Sequence, residues 1–137
     1  MGKGAYLNVT NASSKAVFST LTQIHCVYNG GSEGSNPGLF DKVSIPSHTY
    51  FPGPKGGRGQ YIEAKASSSG GDTCATDRSY FTLSFVAQSG PVHIQFSEES
   101  NTWTAGAPSD GTDIQLNAAA TENGDVYDLV VTITDNF

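Results

Sequence analysis

Apolar residues recur at every second position along most of this chain, and almost nowhere at the 3.6-residue spacing of a helix. That period puts one row of side chains on one face of a strand and leaves the other face polar. Leu7 and Val9 alternate with Asn8 and Thr10, and Phe81, Leu83 and Phe85 alternate with Tyr80, Thr82 and Ser84. Val92, Ile94 and Phe96 leave His93 and Gln95 on the opposite face, Ile114 and Leu116 mark a further strand, and Tyr127, Leu129, Val131 and Ile133 mark the last. In the run Val17 to Tyr28, Val17 and Leu21 lie in one phase and Ile24, Cys26 and Tyr28 in the other, which predicts a bulge near Thr22. Leu39, Val43 and Ile45 start another strand, and Ile62, Ala64 and Ala66 share a face that leaves Glu63 and Lys65 toward water. The helix-friendly stretch Asn117 to Glu122 is too short to stand alone.

Turn chemistry punctuates these strands. Ten of the sixteen glycines, with Pro37 and Pro54, fall in Asn29 to Gly38, Gly53 to Gly59 and the polar loop Ser67 to Asp77. The reading is an all-β, antiparallel β-sandwich of roughly eight to ten short strands, a single domain over residues 1–137. No internal repeat favours a propeller or β-helix.

Charge is distributed unevenly. Residues 1–78 hold seven basic and five acidic side chains, whereas residues 79–137 hold eight acidic ones and no Lys or Arg. The net charge of -6 argues against a nucleic-acid partner held through its phosphates. The acidic half reads either as a solvated rim or as a calcium site built from loop carboxylates. No apolar run approaches the ~20 residues of a membrane span, and the first residues lack the apolar core of a signal peptide. The expectation is a cytoplasmic chain or one released without a classical signal; a mature secreted chain given a start Met would look the same. Cys26 and Cys74 would close a long loop if bonded, a constraint worth about 4 kcal/mol, and compartment decides between that state and free thiols.

Catalytic patterns are sparse. Lys55 and Arg58 sit in a glycine loop that opens a strand, whereas a P-loop opens a helix. His25, His48 and His93 have no companion motif for a nucleophilic triad. Glu98 and Glu99 are adjacent, so on a strand they face opposite ways; the reading is one solvated and one loop carboxylate. Aromatic side chains are better placed to recognise something. Tyr50 and Phe51, Tyr80 and Trp103 are not all absorbed by the inward phase, and exposed rings stack on sugars or settle at membrane interfaces. Trp103 reads equally as a core plug.

Two resemblances bear on function. The order Leu7-Asn8-Val9-Thr10-Asn11, a long strand, Val43-Ser44-Ile45-Pro46, the loop with Gly57-Arg58-Gly59, and Tyr80 to Val86 before a proline turn resembles the β-sandwich of actinoporins, aegerolysins and fungal fruit-body lectins over residues 5–104. That resemblance implies a module that binds membranes or glycans without catalysis; the aromatic-rich headgroup segment of actinoporins has no counterpart here. The turn Asn11-Ala12-Ser13-Ser14 and the acidic stretch Glu122 to Val131 are similar to those of small calcium-dependent fucose- and mannose-binding bacterial lectins. This second resemblance implies calcium held by Asn11, Asp125 and Asp128.

The reading from sequence is therefore a non-enzymatic, lectin-like module whose ligand-binding candidates are Tyr50, Arg58, Tyr61, Tyr80 and Trp103. Its partners would be glycans or glycolipids, with no cofactor required and calcium as an option. A membrane-binding cytolysin is the alternative, and a structural or inhibitory protein without a small ligand is the second. A homodimer would add avidity to an isolated recognition module.

Overall fold

The computed structural model describes residues 2–31, 33–66, 73–111 and 113–136. Among these residues, ten strands form two five-stranded sheets packed face to face, the sandwich that the alternation implied. The first sheet is built on β1 (Gly4–Asn11), which carries β4 (Thr49–Phe51) and β5 (Gln60–Glu63) along one edge and β10 (Val126–Asp135) along the other, with β9 (Ile114–Asn123) outermost. The second runs β3 (Val43–Ile45), β2 (Val17–His25), β6 (Ser79–Val86), β7 (Val92–Glu99), β8 (Thr102–Ala105).

The inward rows meet between the sheets. Leu7, Val9, Leu129, Val131 and Ile133 from one side face Phe81, Leu83, Phe85, Ile94 and Phe96 from the other, all at most 1% exposed. Each such side chain removed from water contributes roughly 1.5–3 kcal/mol before the entropy of ordering is counted. The expected bulge is present, since the β2–β6 register shifts between Leu21 and Gln23.

Several local expectations are corrected. β1 and β10 pair in parallel, so the sandwich is not wholly antiparallel. The rest of the chain serves as the crossover that a parallel pair requires, and the register Leu7↔Leu129, Val9↔Val131 keeps both inward rows in phase. Leu39 belongs to a single 3-10 turn, Pro37–Phe40, that plugs Phe40 into the core. Asn117 to Glu122 is extended and lies within β9, because pairing with β10 outweighs alanine's helical preference. Ile24 lies across from Phe81 yet stays 39% exposed, beyond the reach of three-residue β3. Glu63 is buried and Ala66 is exposed: β5 ends at Glu63, and the chain continues with a bridge from Ala64 to Val27.

Cys26 and Cys74 form a disulfide, with Cα atoms 5.4 Å apart across 48 residues of sequence. Cys26 sits just past β2 at φ 55°, so it leaves the strand alternation that made it look like an ordinary buried hydrophobe. Residues 67–72 of the polar loop read from the sequence lie outside the described residues. Among the described residues, no helix is long and apolar enough to cross a membrane.

Candidate functional site

Three of the five ligand candidates, Tyr50, Arg58 and Tyr61, gather on the outer face of the first sheet. Strand register does the gathering: Tyr6 on β1 lies opposite Tyr61 on β5 and opposite Asp128 on β10, so the three share one rung. The Tyr6 and Tyr61 rings meet edge to face with centroids 5.4 Å apart. Such a contact favours a fixed geometry over a loose one.

Arg58 reaches onto this rung from the loop after β4. Its guanidinium lies 4.5 Å from the Tyr6 ring centroid, and its Nη2 and Nε donate to Asp128 Oδ1 at 2.8 and 3.2 Å. Asn123 Nδ2 donates to the other oxygen, Oδ2, at 2.9 Å. The loop is pinned where it arrives. Asn8 Nδ2 donates to the Arg58 carbonyl at 3.2 Å, and Gly59 adopts φ +103° so close to β1 that a Cβ would stand 2.1 Å from the Leu7 carbonyl oxygen. Only glycine meets both demands. Tyr50 closes the cluster by donating its hydroxyl to the Gly57 carbonyl.

Tyr61 lies over Gly4, where a Cβ would approach its hydroxyl to 2.5 Å, and it donates that hydroxyl to Glu63 Oε1 at 2.7 Å. Burial first, and then the Glu63 carboxylate, push the Tyr61 hydroxyl well above the usual phenol range. Burial and then the charge of Asp128 raise Tyr50 as well. Both hydroxyls therefore hold their protons at neutral pH. Glu63 is 4% exposed and its Oε2 has no hydrogen-bond partner, the one such buried side-chain oxygen found among the described residues.

The other two ligand candidates lie elsewhere. Trp103 is a core residue, 1% exposed, packed edge-on to Phe81 and donating Nε1 to the Lys3 carbonyl at 3.1 Å. Its inward row on β8 leaves no face for a ligand. Tyr80 stands on the outer face of the second sheet, between the Arg78 guanidinium at 4.7 Å and the His25 ring at 5.2 Å, and His25 is hydrogen-bonded to Asp77 at 3.1 Å. The two sheets and the core separate it from Tyr50, Arg58 and Tyr61.

The calcium triad does not assemble. Asn11 pairs with Ile133, five residues along β10 from Asp128, which places the two about 16 Å apart. Asn11 is wholly buried and its amide is spent: Nδ2 donates to the carbonyls of Lys15, Ile45 and Pro46 at 2.8, 3.0 and 3.1 Å, and Oδ1 accepts from the Ser13 N–H and hydroxyl. Asp128 is engaged by Arg58 and Asn123, and Asp125 sits in the exposed turn beyond β9. Among the described residues, no group of three or more His, Cys, Asp or Glu side chains comes together as metal ligands do.

Glu98 also departs from expectation. It continues the inward row of β7 and is 8% exposed, while Glu99 faces water. Burial raises the Glu98 carboxyl above its ordinary value against the opposing pull of the Lys3 N–H, which donates to Oε2 at 3.2 Å.

Two site residues escaped the sequence reading. Tyr6 shares the outward phase of Asn8 and Thr10, and that phase was the available signal. Glu63 offered none, because alternation alone points it to water. The chain matches no protein-family model and no curated protein.

Proposed function

We propose that this chain is a non-enzymatic recognition module that binds glycans on the outer face of its first sheet. One observation carries the reading: Tyr6, Tyr61 and Tyr50 surround an Arg58–Asp128 pair on a face whose geometry is set by strand register. A sugar presents a C–H face that suits an aromatic ring, and hydroxyls that both donate and accept. A guanidinium beside a carboxylate offers donors and acceptors within one hydroxyl spacing, and charge-assisted hydrogen bonds are the stronger kind. With their single protons given to the Gly57 carbonyl and to Glu63, the Tyr50 and Tyr61 hydroxyls offer a ligand acceptor lone pairs.

The test is a glycan array probed with labelled protein, run alongside Arg58→Ala and Tyr80→Ala. The expected result is binding that Arg58→Ala abolishes and Tyr80→Ala leaves intact, in the presence or absence of a chelator. Loss with Tyr80→Ala alone would move the site to the second sheet. No binding to any glycan would sink the reading, and leakage of sphingolipid- or sterol-containing vesicles would then favour the cytolysin alternative.

A further inference from the structure

The four smaller edge strands give another chain little to pair with. β3 and β4 have three residues each, and β5 and β8 have four. β9 differs: it runs ten residues, pairs with β10 at every position without a register break, and lies outermost in its sheet. In an antiparallel ladder, alternate residues direct both backbone groups to the same side, so about five residues of β9 present an N–H and a C=O away from β10. Natural edges are blunted by Lys, Pro, bulges or inward-pointing charge. β9, Ile114-Gln-Leu-Asn-Ala-Ala-Ala-Thr-Glu-Asn123, has no Lys, no Pro and no bulge, and its one charge, Glu122 in the inner-face row, stands one residue from the strand's end and leaves the Ala118–Ala120 stretch unguarded.

We infer that the edge of β9, which has no partner strand among the described residues, pairs antiparallel with β9 of a second copy of this chain, about a two-fold axis at Ala119. A two-fold perpendicular to the sheet requires one residue to face its own copy, and the alanine run 118–120 allows the closest approach there. On the outer face Ala119 meets the partner's Ala119 and Asn117 meets the partner's Thr121. On the inner face Ala118 meets the partner's Ala120, small against small. Glu122 falls opposite the partner's Leu116, so the two carboxylates stand six positions apart, roughly 20 Å. No like charges oppose each other, which is what a self-pairing edge in an acidic chain needs.

The interface stands independently of the glycan reading. Joined this way, the two copies form one continuous ten-stranded sheet whose outer face carries Tyr6, Arg58 and Tyr61 twice. Five strand spacings separate the two β1 strands, about 24 Å. Should the glycan reading also hold, one assembly engages two sugars from the same side, with the avidity that follows.

Sedimentation velocity of the full chain over a concentration series tests the pairing. The expected result is a species of about twice the 14.3 kDa chain mass that dissociates on dilution. Ala119 is exposed in the single chain, so Ala119→Asp and Ala119→Lys leave the fold intact, as the thermal transition of each will show. Each variant alone sets like charges face to face and raises the dimer Kd by about fivefold or more at low salt. Mixing the two restores dimers. A wild-type chain that stays monomeric at its highest soluble concentration overturns the inference. So does a dimer that both single variants leave unchanged.

Discussion

Replacing Asn11 by Ala separates two roles for this residue, metal ligand and structural hub, and the structure gives the size of the effect. The amide ties the end of β1, in the first sheet, to the carbonyls of Ile45 and Pro46, where β3 leaves the second sheet. It also holds the turn at Ser13 and Lys15. Truncation removes about two net hydrogen bonds at ~1 kcal/mol each and leaves a buried carbonyl unpaired at a further ~1–3 kcal/mol. The expected loss is about 3–5 kcal/mol, or a fall in Tm of about 10–17 °C for a chain of this size. Asn11→Asp keeps the shape but turns an oxygen toward three carbonyls, and should cost at least as much. Equilibrium urea unfolding with the disulfide intact measures both. Excess calcium should leave the wild-type midpoint unmoved. A loss below about 1 kcal/mol would refute the hub, since water would then be serving those carbonyls. A calcium-dependent rise that disappears in Asn11→Ala would restore the metal ligand.

Four further outcomes follow from the same geometry. Cys26→Ser with Cys74→Ser should lower stability by about 4 kcal/mol through the opened loop, read from the urea midpoint; an unchanged midpoint would show that the unfolded chain is already restricted there. Arg58→Ala should cut glycan binding while costing less than about 1 kcal/mol of stability, because the Arg58 and Asp128 side chains are 43% and 27% exposed and screened by solvent. Trp103→Ala should destabilise by about 3–5 kcal/mol, and the single-Trp emission of the wild type should be that of a buried indole, unaltered by ligand. The pH dependence of Glu98 has a definite sign. A carboxyl raised in the folded state contributes stability that is full below its ordinary value of 4.5 and is lost as pH rises through the folded value. Glu98→Gln should therefore gain on the wild type between acidic and neutral pH; a constant difference across that range would contradict the raised carboxyl.

Alternation is a local property, so whatever depends on a residue and its neighbours two positions away was legible. Phe81, Leu83 and Phe85 are buried as their period requires, and the phase change after Leu21 became a bulge at that point. Arg58 and Tyr61 stood out as a cation and a ring beside a glycine loop. The fact that both meet Tyr6 and Asp128 depends on which strands pair, and that choice is non-local. Asn11 shows the same limit from the other side. Its position before Ala12-Ser13-Ser14 fits a calcium turn as well as a capped one, and only the arrival of Ile45 and Pro46 from the other sheet decides between them. Trp103 likewise could not be placed without the strand that buries it.

Taken alone, the sequence determined the class: a single-layer alternation, interrupted by glycine and proline, has no low-energy solution other than sheets packed on their apolar faces. Tertiary structure decided the parallel joining of the first and last strands, the closing of Cys26 on Cys74, the burial of Glu63 and the meeting of Arg58 with Asp128. Each of these brings together residues dozens of positions apart or sets burial against the local period. Chain entropy favours near neighbours over such distant pairings, so they form only when the competing strands have taken their neighbours and the core has closed.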